Sequence, residues 1–174
     1  TSNLVIITDI NGQIQWVNAA YEKVTGYSLA ESLGRKPGDF LQTEQTSPDA
    51  VAVMRDAIAN QRACQVEVLN RSKSAQLYWL DVQIQPLFNE AGHCTGFMGV
   101  EADITARKLA EEQMKTALRE TQALMSTIRT HTIVSQVDHL GVLTDVNQAF
   151  VDVSGYTRSE LLGRTHSVVG SGQH

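Results

Sequence analysis

The chain of 174 residues has room for one full domain and a fragment of a second, and its 42% hydrophobic content suits a packed core. A net charge of −5, with no basic patch interleaved with aromatics, argues against a nucleic-acid-binding surface. No apolar run reaches the roughly 18 residues that span a bilayer and no signal peptide is read, so a cytoplasmic chain without a membrane segment in this stretch is expected.

Leu4-Val5-Ile6-Ile7-Thr8 is β-rich, and Asp9-Ile10-Asn11-Gly12 is a turn with glycine where a positive φ is needed. Gln13 to Val17 alternates polar and apolar, as the second strand of a hairpin should. Asn18 to Thr25 predicts a short helix ending at Gly26, and Ser28 with Glu31 three residues later predicts a capping box. Lys36-Pro37-Gly38-Asp39 is a turn, with Phe40-Leu41 beside it dipping toward the core. Ser47-Pro48-Asp49 opens the longest helix of this part, with Val51, Met54, Ala57 and Ile58 as its buried stripe and Arg55 and Asp56 facing water. Three strands follow, over 65–71, 77–87 and 95–102, with Pro86 near the end of its strand. Two strands, short helices, one longer helix and three strands make an α+β domain: a five-stranded antiparallel sheet with helices on one face and a cavity between them.

From Ala106 to Thr130 there is neither Pro nor Gly, and good helix formers dominate. Thr105 is placed to cap this run. Ala110, Met114, Ala117, Thr121, Leu124 and Ile128 recur at steps of four and three, a heptad seam. Such a seam serves either a two-stranded coiled coil between chains or a single amphipathic helix on its own domain. Sliding the sequence by 129 residues then superposes its opening on its end. Asp9 meets Asp138, Asn18 meets Asn147, Gly26-Tyr27 meets Gly155-Tyr156, and Leu33-Gly34-Arg35 meets Leu162-Gly163-Arg164.

Cys64 and Cys94 are too few for a disulfide framework and lack metal-ligand spacing. The five histidines form no HxxxH or HxH pair, and none stands near a nucleophile with an orienting group. Neither a metal site nor an enzyme is expected.

In their order and spacing, Thr8-Asp9-Ile10-Asn11-Gly12, Val17-Asn18-Ala19-Ala20-Tyr21, Thr25-Gly26-Tyr27 and Glu31-Ser32-Leu33-Gly34-Arg35 resemble the PAS family of sensory domains. Asn70-Arg71-Ser72-Lys73, Tyr78-Trp79, Pro86 and the run Gly99 to Lys108 extend the resemblance. It implies a PAS domain over 1–105, a coiled-coil-like helical linker over 106–130, and the N-terminal part of a second PAS domain over 131–174. It also implies a sensory input module in a bacterial sensor such as a histidine kinase or a diguanylate cyclase or phosphodiesterase. Alternatives are a flavin-binding redox sensor and a purely structural dimerisation module, the last with an interior filled by Val66, Val68, Leu80 and Val82.

Within the family, Gly34 to Gln42 most resembles the flavin-binding, light-sensing branch. Pro37-Gly38 stand where its photoactive Cys belongs, and Asp39 where it has an Arg contacting the flavin phosphate. The resemblance therefore implies that flavin (FAD or FMN) leads if any cofactor is bound, without adduct photochemistry, and that heme is disfavoured because His93 is the only histidine before the linker. Asn70 and Gln42 match pocket positions, Leu80 replaces a second Asn, and Glu101 replaces a Gln on the last strand. Glu101 is either an inward carboxylate in need of a partner or a solvated group at the sheet edge. Gly170 to His174 resembles a segment of some FAD-binding sensors. For signal relay, the resemblance implies that Asp103 pairs with a basic residue, with Arg35 the candidate. Trp79 alternates with Leu80 and is expected on the outer sheet face, asking for cover by a helix or a second copy. A homodimer through the linker helix and that face is the expected partnership, together with a small-molecule ligand.

Overall fold

Alternating apolar residues build five strands in the first part of the chain: β1 (Leu4–Asp9), β2 (Ile14–Val17), β3 (Cys64–Arg71), β4 (Leu77–Phe88) and β5 (Cys94–Asp103). They form one antiparallel sheet in the order β2-β1-β5-β4-β3. The computed structural model describes residues 3–170, apart from the side chain of His131. Two compact units result, Thr1–Glu111 and Glu112–His174.

Between β2 and β3 lie α1 (Ala19–Thr25), α2 (Leu29–Ser32), a 3₁₀ turn over Pro37–Asp39, and α3 (Pro48–Ala59). Local chemistry sets these short elements. The Asn18 side chain accepts the Tyr21 N–H to start α1, and Gly26, at φ +76°, ends it in a conformation costly to any residue with a β-carbon. Both bonds of the Ser28–Glu31 capping box are present, and Lys73 reaches across to bond Glu31. Ser47 caps α3, with Pro48 in its first turn. The inward sheet face and these helices enclose Leu4, Ile6, Tyr21, Leu41, Leu80 and Val82, all buried. Each such aliphatic side chain contributes about 1.5–3 kcal/mol on leaving water.

The helix α4 (Thr105–His131) carries an apolar seam that the chain leaves open: Met114, Leu124 and Ile128 are exposed, as are Leu118 and Met125 beside them. In the second unit, β6 (Ser135–Val137) and β7 (Leu143–Val146) form a hairpin, followed by α5 (Gln148–Ser154), α6 (Arg158–Leu161) and a 3₁₀ turn over His166–Val169. Leu143, Val146, Phe150 and Leu161 make its small core. The local geometry of the first unit recurs here bond for bond. Asn18 Oδ1 accepts from Val5 and Tyr21, and Asn147 Oδ1 accepts from Val134 and Phe150. Asp9 Oδ1 accepts from Asn11 and Gln13, and Asp138 Oδ1 from Leu140 and Val142.

Candidate functional site

A cavity of about 450 Å³ lies between the sheet and α3, within the roughly 300–1,000 Å³ typical of small-molecule sites. Its walls are apolar, drawn from Ile6 on β1, Val68 on β3, Val82 and Ile84 on β4, Phe97 on β5 and Met54 on α3. The period of two fixes the strand members of this set, because each is an inward position of its strand and its neighbours point to the other face, while Met54 comes from the core-facing stripe of α3. Lys36, Asp39 and Arg55 form a charged, exposed rim. Arg55 was expected only to face water; it does so at the mouth, which helical periodicity alone does not reveal.

Three of the four predicted pocket residues meet here. Asn70, Gln42 and Glu101 line the cavity, with Gln42 bridged to Asn70 through the backbone. Leu80 does not. It is wholly buried in the core between the helices and the sheet, one inward position beyond Val82 on β4 and outside the cavity lining. The structure also decides between the two readings of Glu101, which is 7% exposed and points inward. Its carboxylate extends along β5 over Gly99, where a β-carbon would stand 3.6 Å from Oε1. Burial alone pushes the Glu101 carboxyl up to about 7.

Asn70 Oδ1, Glu101 Oε2 and the Tyr78 hydroxyl are buried without a hydrogen-bond partner in the chain. Tyr78 is the cross-strand neighbour of Asn70 and stands behind the cavity wall. Burial, and then the Glu101 charge, raise its pKa. Tyr21, raised mainly by burial, bonds Ser32 at 3.0 Å and does not satisfy Glu101. Sequence reading missed Tyr78 because a tyrosine at an inward strand position looks like core. A filled interior without converging polar groups, expected of a purely structural module, is not what the fold contains.

Two relay expectations are corrected. Arg35 does not pair with Asp103: its guanidinium lies 3.9 Å from the Phe40 ring centroid and donates to the Glu31 carbonyl. Nor does Thr105 cap α4. Asp103 takes that role, its Oδ1 accepting the Thr105 N–H at 2.9 Å. The Thr105 hydroxyl instead accepts the Trp79 N–H at 2.9 Å, while the Trp79 carbonyl accepts from Ile104. The physical reason is that the β4–β5 ladder ends at the Leu80–Asp103 pair, leaving the Trp79 backbone to be satisfied by the start of α4. Trp79 lies on the outer face, where Lys108 Nζ sits 5.0 Å from its ring centroid. Glu67 on β3 bonds both Arg107 and Lys108, which holds its carboxyl below the usual range. The first turn of α4 is thus latched onto the outer sheet face.

Neither Cys64 nor Cys94 lines the cavity, and Pro37 and Gly38 do. His93 is exposed in a turn. Among the described residues no cluster suits a metal ion and no helix is long and apolar enough to cross a membrane. Residues 171–174 of the predicted FAD-sensor-like segment lie outside the described residues.

The family model of the PAS domain matches residues 2–106 and 130–168. The chain is 35% identical over 122 residues to a blue-light-activated histidine kinase of Rhizobium johnstonii, covering 70% of this chain and 31% of that protein. It is 27% identical over 165 residues to the bacterioopsin transcriptional activator of Halobacterium salinarum, covering 95% of this chain and 22% of that protein. The chain therefore spans less than a third of either relative. Among solved structures, it is similar to the LOV domain of the Erythrobacter litoralis EL346 blue-light-activated histidine kinase, at TM-score 0.55 and 30% identity, covering 60% of this chain and 96% of that one. An RNA-binding light-oxygen-voltage receptor matches at TM-score 0.60 and 30% identity, over 68% of this chain and 34% of that one.

Proposed function

The chain belongs to the PAS domain family, and from that premise we propose that it is a non-enzymatic sensory input module whose cavity holds a small ligand and whose output leaves through α4. One observation carries this reading. Glu101, buried and unpartnered on the cavity floor, lies two residues before Asp103, the residue that caps α4. Displacing the end of β5 by a ligand changes the geometry of the cap, the Trp79–Thr105 bond and the Glu67 latch together. That is a compact bistable element of the kind a switch requires. Asp103, Thr105 and Trp79 are its relay residues, and Arg35 acts elsewhere. The parent protein, by likeness to its relatives, couples the module to a histidine kinase or another regulatory output in the cytoplasm. Residues 131–174 are the opening of a second domain of the same kind, and 106–130 the linker between them.

Flavin is the second reading, supported by the likeness to LOV domains and by the cavity's apolar walls with polar atoms at one end. Asn70, Gln42 and Glu101 would hold its polar edge. A bound flavin would supply visible absorption and a redox-active ring. No thiol lines the cavity, so the residues present do not fit covalent adduct chemistry with the ring. The absorption spectrum of the purified chain, before and after incubation with FMN or FAD, tests this reading. Bands near about 450 nm that survive desalting support it, and a colourless chain after reconstitution rules it out and leaves a colourless ligand.

A further inference from the structure

Of the three unpaired buried polar atoms, Asn70 Oδ1 and Glu101 Oε2 belong to residues that line the cavity and are acceptors, while the Tyr78 hydroxyl stands behind its wall. A buried polar atom without a partner costs about 1–3 kcal/mol, and native chains retain such atoms where something outside the chain pairs them. Asn70 Oδ1 can only accept, and Glu101, once ionised, can only accept. No lysine, arginine or histidine forms an ion pair with Glu101 among the described residues. The titratable groups facing it are the Tyr21 hydroxyl from α1 and the Tyr78 hydroxyl from β4, both neutral. The charges of Lys36, Asp39 and Arg55 sit at the exposed rim, where water and salt screen them.

Resting on the reading that the cavity is a ligand site, we propose that it binds a small organic cation, an amidine, guanidine or protonated amine on an apolar body, with its N–H groups on Glu101 and Asn70. A neutral ketone or ester would accept a hydrogen bond from the protonated Glu101 carboxyl but leave Asn70 Oδ1 unpaired, whereas a primary amide would pair both without charge and is therefore the competitor the test must separate. An anion would meet two acceptors. A cation satisfies both and restores the carboxylate, and Ile6, Val68, Val82 and Phe97 enclose its apolar body. Binding below neutral pH therefore releases the Glu101 proton, and affinity rises with pH until the carboxyl is ionised.

The test uses three probes of one shape and different charge: benzamidine, benzamide and benzoate. Each is titrated into the full chain while the backbone amides of Asn70, Val82 and Gly99 are followed by NMR. Benzamidine is expected to shift these amides and to bind about tenfold or more tighter than benzamide, the worth of one charge-assisted hydrogen bond. Its affinity should rise about thirtyfold between roughly pH 5.5 and pH 8. Glu101→Gln should abolish both the preference and the pH dependence while leaving the amide spectrum dispersed. Equal or tighter binding of benzamide or benzoate overturns the cation assignment but keeps the cavity as a ligand site. Shifts confined to Asp39 and the rim overturn the assignment as well. Failure of all three probes to move any cavity amide overturns both the assignment and the ligand-site reading.

Discussion

Glu101 concentrates the physics of the site in one side chain. Its folded-state pKa, about 7, lies above the ordinary 4.5, so the folded chain holds this proton more tightly than the unfolded chain. The resulting stabilisation is fully present below pH 4.5 and is lost as pH rises through about 7. Urea unfolding at about pH 5 and about pH 8 should show the wild type losing on the order of 3 kcal/mol relative to Glu101→Gln across that window. Parallel pH profiles for the two chains would remove the buried carboxylate from the account. Its inward direction was half legible in the sequence, which left it either an inward carboxylate or a solvated group at the sheet edge. Which face is buried depended on β1 and β4 flanking β5, a matter of partners far away in the chain.

At the scale of elements, the junction of β5 and α4 is where sequence reading and structure part. The string Asp103-Ile104-Thr105 promises a cap at Thr105, because threonine at a helix start most often serves its own helix. The sheet outbids that local preference, since the backbone of Trp79 loses its ladder partner at the end of β5 and takes the Thr105 hydroxyl. Thr105→Val, which keeps the shape and removes the acceptor, should cost about 1 kcal/mol. Amide exchange should quicken at Trp79 and Lys108 and stay unchanged at Val82. Unaltered protection at Trp79 would mean the hydroxyl does not secure the junction. By contrast α1, α2 and α3 start where their caps predict, because Asn18, Ser28 and Ser47 are satisfied within their own turns.

For the whole molecule, partnership rests on α4, whose seam stays exposed at Met114, Leu124 and Ile128. Apolar side chains repeated along one face of a long helix favour a second copy along that face. Sedimentation across a range of concentrations should find a dimer, and Leu124→Glu combined with Ile128→Glu should yield a monomer with unchanged far-UV circular dichroism. A wild-type chain that stays monomeric at high concentration would assign the seam to another partner.

The sequence by itself determined the strands, the starts of α1, α2 and α3, the turn glycines, the recurrence at 129 residues and the family, since each depends on residues within a few positions of one another or on a pattern repeated in order. The tertiary structure alone decided that Leu80 leaves the cavity wall, that Arg35 stacks on Phe40 rather than pairing with Asp103, and that Tyr78 joins Asn70 and Glu101 as an unpartnered polar group. These depend on where distant strands and helices meet. Local spacing sets which way a side chain points, but what it finds there is set by residues that only folding brings near.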